Sequence, residues 1–403
     1  MERALLEGAP ARVPAAYRDG HAAARLVDPA VADRYVAHTM VGDPLADAAV
    51  ASLAGHDGAR QSAWIGRCLA EGDDAGAPDA LRALMAEAAQ PPDWFDPALT
   101  LAGCRAFHRN SEMFIGAFVA AVLIEGFATL IGKSFAITGR LVDQGVRRLK
   151  QNNRHLVEVF MPGGLDRGGE GWRLSLRIRL VHARVRLLLS RSTEWDAAAW
   201  GTPLSAAHIG FATAAFSALL LDRVRLLGVE LSAQERQSFM LTWRYTGHLM
   251  GVPAALSCAG EAEALHLYRI GALCEPPPDI ESILLANGLI NAAPIVAGIS
   301  QPAQRRALVR RIYAISRAII GDARADQLRF PPARSFGVLA ALRWRNRLDR
   351  LLARLLPGLG RRRQAGRFLR MLDLSYHGAD GAAAAEIGYR LPAELHAEKE
   401  RSG

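Results

Sequence analysis

An all-α fold is what this chain predicts, and three observations carry that reading. Alanine, leucine and arginine are abundant and long β-branched runs are rare, a balance that favours helix. Apolar residues recur at helical spacing: Ile178, Val185 and Leu189 lie at i−4, i+3 and i+7 from His182. Helix punctuation is clear: Ser232-Ala233-Gln234-Glu235 reads as a capping box, and Gln90-Pro91-Pro92-Asp93 and Glu275-Pro276-Pro277-Pro278-Asp279 read as breakers. Half of the 403 residues are hydrophobic, enough to bury a large core.

Taken in order, residues 1–90 predict an N-terminal helical region that ends at the Gln90–Asp93 breaker. Residues 95–150 predict two or three helices, one of them the strongly apolar stretch from Phe114 to Ile131. That stretch is long enough to be weighed as a membrane span. Glu125 in its middle, with Gly116 and Gly126, argues for a buried helix instead, because a carboxylate is costly in lipid. Met161 to Gly171 is a glycine-rich loop without the G-K-[ST] ending of a phosphate loop, and it leads into the helix that carries His182. Residues 203–229 predict an apolar helix closed by Gly228, and the next helix runs from the Ser232 box to His248. Basic helices follow, from Arg343 to Arg354 and around Arg361-Arg362-Arg363, and the tail Glu398 to Gly403 is expected to fray. No internal repeat is present. The expected division is 1–90, 91–335 and 336–403.

The net charge of +9 is spread among acidic residues and lacks interleaved aromatics, so no nucleic-acid partner is expected. An acidic cofactor or a peripheral membrane contact explains the charge equally well. Cys68, Cys104, Cys258 and Cys274 form no C-x-x-C pair, and no histidine cluster completes a zinc site. The first ten residues carry no apolar secretory core or twin-arginine signal. The expected address is cytoplasmic, with reduced thiols.

The chemistry concentrates around His182. Arg179 and Arg186 lie at i−3 and i+4, so two guanidinium groups can flank the imidazole on a helix whose neighbouring strip is apolar. That combination suits an iron porphyrin: the ring nitrogen ligates iron, the apolar wall covers the macrocycle and the arginines pair with its propionates. On residues alone, a half-buried histidine on an arginine-rich helix fits the same pattern.

Gly171-Trp172 followed by Arg177-Ile178-Arg179-Leu180-Val181-His182-Ala183-Arg184-Val185-Arg186 resembles the signature of the latex-clearing protein (rubber oxygenase) and MpaB-type oxygenase family. Further similar pieces occur in the same order: Pro92 to Asp96, Thr138-Gly139-Arg140, Arg147 to Asn152, Val157 to Leu165, Gly201-Thr202-Pro203-Leu204, Thr213 to Ser217, Trp243 to Val252 and Ile320-Gly321-Asp322. The resemblance covers roughly residues 90 to 335. It implies a single large helical bundle, globin-like in character, enclosing a haem b pocket, with His182 as the axial iron ligand. It further implies dioxygen and an apolar, olefinic or isoprenoid-like substrate. The family's Arg-x-x-x-Thr pattern falls on Arg148 and Asn152, with asparagine in the threonine place. Where the latex-clearing branch has a lysine this chain has Gln151, and Lys150 lies one residue earlier. A lysine-capped resting state is therefore not expected.

Arg148 and Asn152, at i and i+4, share a helix face and are candidates for the catalytic side of the pocket. Glu125 is the candidate carboxylate: apolar neighbours Val122 and Ala128 should raise its pKa toward general-base work. A structural pairing with an arginine is the other reading. Arg179, Arg186 and Arg148 are the candidate propionate partners. His248 is expected as a packing residue, His208 as a cap, and His108 and His155 in ordinary helical roles. Two other functions stay open: a haem-binding sensor or carrier without oxygenase activity, and a cofactor-free helical interaction protein.

Overall fold

The computed structural model describes residues 13–70, 72, 74–138, 145–376, 391–392 and 394–395. Among them every regular element is a helix, as expected. Five helices fill the N-terminal region: Arg18–Arg25, Pro29–His38, Pro44–Leu53, Gly58–Ala70 and Asp79–Ala88. Asp28 and Asp43 each accept a backbone N–H of the helix that a proline then opens, which satisfies orphan donors at a pre-organised start. One core cluster runs from Tyr17 to Met371 and draws on all three expected segments. Gly139 and Arg140 of the expected motif, the first ten residues and the tail Glu398 to Gly403 lie outside the described residues.

Two consecutive helices position the site, Gly145–Val159 carrying Arg148 and Glu170–Ser190 carrying His182. The glycine-rich loop between them folds back tightly. The Trp172 N–H donates to the Gly164 carbonyl at 2.8 Å, and a Cβ at Gly171 would lie 2.8 Å from the Glu158 carbonyl oxygen. Only a residue without a side chain lets the loop pass this close. Trp172 is buried and its indole N–H donates to the Ala88 carbonyl at 3.3 Å, tying the His182 helix to the N-terminal region.

The apolar stretch departs from the expected single helix. Ser111–Phe127 contains a π-turn over Phe118–Val122, and the chain breaks before Leu130–Ile137, which Thr129 caps. Its side chains from Ala117 to Ile131 are buried. A second π-turn, Ala215–Leu219, interrupts the apolar helix between Ala206–Ala214 and Leu220–Leu226. Such turns widen a helix locally and occur often at functional sites; both lie beside cavities here. Gly228 closes this region at φ +89°, and the Ser232–Glu235 capping box opens Ala233–Leu249. No single described helix is long and apolar enough to cross a membrane, although the bent pair Pro97–Arg109 and Ser111–Phe127 meets the length and composition test together.

Candidate functional site

The Arg148 helix turns one face inward, bearing Arg148, Gln151, Asn152 and His155 at i, i+3, i+4 and i+7. The His182 helix brings Ile178, Val181 and His182 to the same space. Phe127, Ile131, Phe135, Ile209, Phe216 and Met250 complete a mostly apolar cavity of about 1100 Å³, counting its mouth. His182, Arg148 and Asn152 all line this cavity. Arg148 is buried, its guanidinium carbon 4.1 Å from the Phe135 ring centre and 5.8 Å from that of Phe127, a cation–π seat that fixes its direction. The Asn152 amide donates one N–H to the Arg148 carbonyl at 3.1 Å, leaving its carbonyl oxygen and second N–H for other partners. Lys150 does not line this cavity, and Gln151 does.

His155, expected in an ordinary helical role, also lines the cavity. It is buried, and Nε2 lies 3.0 Å from Ser175 Oγ. Ser175 donates its single hydroxyl proton to the Gly171 carbonyl at 2.7 Å, so the imidazole N–H must be the donor to Ser175. Burial pushes the ring down to about 4, so His155 is a neutral imidazole at physiological pH. Its i+7 spacing from Arg148 was the available signal.

Arg179 and Arg186 flank His182 as the helical spacing requires, yet neither lines the main cavity. They bound a small pocket behind it, with Asp43, Gly42 and Gly251, that His182 also touches. Arg179 forms a two-pronged pair with Asp43, at 2.6 and 3.1 Å, and a further bond of 2.9 Å to Glu87. Burial disfavours its charge, but Asp43 and Glu87 outweigh that and hold its pKa above the usual value. Arg186 donates to Asp47 at 2.8 Å and to the Leu204 carbonyl at 2.7 Å. The anions these arginines meet are carboxylates of the N-terminal region, where propionates were expected. Gly251, in the Trp243 to Val252 motif, has φ +81°, and a Cβ there would lie 2.2 Å from Asp43 Oδ2. Its bareness makes room for the ion pair.

Glu125 also departs from expectation. Arg223 grips both its oxygens, Nη2 to Oε1 at 2.6 Å and Nε to Oε2 at 3.1 Å. Leu123 and Gly126 line the cavity but Glu125 does not. The alternative reading, a carboxylate paired with an arginine, is the arrangement found.

His208 is buried and completes a capping box with Ser205. Its Nε2 lies 2.9 Å from the Tyr17 hydroxyl and 3.4 Å from Glu275 Oε1. Tyr35 donates to Glu275 at 2.7 Å, and the Leu130 N–H donates at 3.2 Å. This buried network fastens the N-terminal helices to the body. His248 packs against Trp94 and Tyr245 outside the main cavity, and burial lowers the pKa of His108 and His248. Among the described residues, no group of three or more His, Cys, Asp or Glu side chains could hold a bare metal ion.

Residues 105–354 match the family described as ER-bound oxygenase mpaB/B'/Rubber oxygenase, catalytic domain. A rubber oxygenase from Streptomyces sp. (strain K30) is 24% identical over 266 residues, which span 63% of this chain and 61% of that protein. A solved structure of latex clearing protein LCP in the closed state superposes with a TM-score of 0.64 at 18% identity, covering 84% of this chain and 90% of that one. That likeness shows a shared fold. With more than half of its length matched, the chain belongs to the MpaB and rubber oxygenase catalytic-domain family.

Proposed function

We propose that this chain is a haem b-dependent oxygenase acting with dioxygen on an apolar, olefinic or isoprenoid-like substrate, by oxidation or cleavage of a carbon–carbon double bond. One observation carries the reading: His182 lines a largely apolar cavity that also receives Arg148, Asn152 and His155 from the neighbouring helix. The donor set fits the group. A lone imidazole suits an axial ligand, flat apolar side chains suit a macrocycle, and Arg147 and Arg148, both lining the cavity, suit its propionates. Bound haem supplies the redox chemistry with dioxygen.

The protein's own part follows from its side chains. His182 holds the cofactor, while the Arg179 and Arg186 pairs hold the His182 helix against Pro44–Leu53. Phe127, Ile131, Phe216 and Met250 exclude water and favour an apolar substrate. The amides of Asn152 and Gln151 carry both donors and acceptors there, and neutral His155, its Nε2–H given to Ser175, offers Nδ1 as an acceptor. Glu125, committed to Arg223, ties Leu123–Phe127 to Leu220–Leu226.

The test is the absorption spectrum of protein produced with haem precursor, with a pyridine haemochrome count. About one haem b per chain, lost in His182→Ala with helical content preserved, is the expected result. Full haem in that variant would remove His182 as the ligand, and folded, colourless wild type that haemin cannot reconstitute would defeat the reading. The Asn152 and Gln151 departures favour a second reading, a haem-binding sensor or carrier. Oxygen uptake on addition of an olefin separates the two.

A further inference from the structure

A second large hollow lies against a different face of the Arg148 helix. Leu149 and Asn153, at i and i+4, form part of its wall; the π-turn of Ser111–Phe127 gives Val119 and Ala120, and the helix Pro302–Ile320 gives Ile312 and Ile315. It measures about 1570 Å³ counting its open mouth and is mostly apolar. Two features mark it as more than imperfect packing.

The first is Asn153. Its side chain is 4% exposed, and Oδ1 has no hydrogen-bond partner. Leaving a buried amide unpaired is costly, so this group awaits a partner. The second is the charge at the mouth. Arg311, Arg345, Arg367 and Arg370 all border the hollow, with Glu112 as the bordering carboxylate. Glu112 is committed to Arg345 at 3.3 Å and Arg367 at 3.4 Å, and Asp349 also takes Arg367 at 2.6 Å. Arg311 and Arg370 are exposed, and no carboxylate among the described residues pairs with them. An apolar trough with two uncommitted guanidinium groups at its entrance and one unpaired amide in its wall has the polarity pattern of a particular ligand class.

We propose that this hollow is a binding site for a single-chain anionic lipid of the oxygenated fatty-acid class. The head lies at the Arg311 and Arg370 mouth, the chain lies along Val119, Ile312 and Ile315, and a hydroxyl or carbonyl on the chain bonds to Asn153. Guanidinium groups recognise carboxylate and phosphate alike, so either can supply the head, and the experiment separates them. The site is distinct from the His182 cavity and does not depend on the function assigned to it.

The experiment is calorimetric titration of the full chain with ricinoleate and with oleate, a pair that differs by one hydroxyl, below their micellar concentrations. Oleyl alcohol tests the head, and lysophosphatidate tests phosphate against carboxylate. Expected are 1:1 binding of ricinoleate, about fivefold or more tighter than oleate (one hydrogen bond of roughly 1 kcal/mol), and at least tenfold weakening with oleyl alcohol and in Arg311→Ala/Arg370→Ala. Tighter lysophosphatidate than ricinoleate would assign a phosphate head, and the reverse a carboxylate. Asn153→Leu is the decisive variant. Removing an unpaired amide should raise the melting temperature of the ligand-free protein, yet abolish the preference for ricinoleate. Ile315→Trp, which fills the trough, should block binding while His182→Ala leaves it intact. Equal affinity for oleate and oleyl alcohol, or binding lost in His182→Ala and kept in Ile315→Trp, would overturn the proposal; so would absence of binding, or a ricinoleate preference that survives Asn153→Leu.

Discussion

Two arginines on the His182 helix and two on the Arg148 helix look interchangeable as candidates for holding an anionic cofactor, and the structure treats them differently. Arg179 and Arg186 lie behind His182, each gripped by a carboxylate from the N-terminal region. Arg147 and Arg148 line the cavity, and Arg148 rests on the Phe135 ring. The first pair locks the wall that carries the histidine, and the second faces what the cavity holds. A guanidinium beside a candidate ligand in sequence is therefore a structural strut or a binding group according to which acids the rest of the chain delivers to it.

Substitutions should separate the two roles, the largest effect first. Arg179→Ala strands Asp43 in a buried site, and breaking a buried pair this way typically costs about 3–5 kcal/mol; chemical denaturation should show that loss whether or not haem is present. Gly251→Ala places a methyl group against the same pair in a left-handed backbone, and should cost about 1–3 kcal/mol. Combined with Arg179→Ala it should cost less than the sum, because one variant removes what the other clashes with. Additive losses would mean that the glycine serves something else.

Acidification offers a third comparison, with a buried carboxylate that has no arginine. Burial pushes Glu275 upward, but His208, Tyr35 and the Leu130 N–H outweigh it and hold the pKa below the ordinary 4.5. A depressed carboxylate stabilises the fold fully above its unfolded value, and that contribution fades as pH falls through the folded one. Thermal stability should thus decline below about pH 4.5, and Glu275→Gln should flatten that decline. Arg148→Met should have the smallest effect on stability, about 1 kcal/mol for a lost cation–π seat, while weakening haem retention or shifting the Soret band. A large stability loss with an unaltered spectrum would make Arg148 another strut.

Much of this was legible in the sequence because it is local. Helical spacing placed Arg148 and Asn152 on one face and His182 on an apolar strip, and the Ser232–Glu235 box and Gly228 marked real helix ends. What the sequence hid is long-range pairing. Nothing near Glu125 announces Arg223, 98 positions away, and nothing near Arg179 announces Asp43, 136 positions away. The π-turns at Phe118–Val122 and Ala215–Leu219 escaped because both lie in runs that are apolar nearly all round, where no polar face marks the phase shift of an inserted residue. His155 escaped for a different reason: its serine partner sits on the next helix, and the burial that keeps its ring neutral comes only with the packing of the two helices.

The carboxylates that grip Arg179 and Arg186 have a bearing on how this protein can be cut. The family match spans residues 105–354, whereas Asp43, Asp47 and Glu87 all precede it. An excised piece bounded by the family match would keep every residue that lines the cavity and lose the counter-ions of two buried guanidinium groups beside its histidine. Such a fragment should be insoluble or melt early, and co-expression of the missing leader as a separate polypeptide should rescue it.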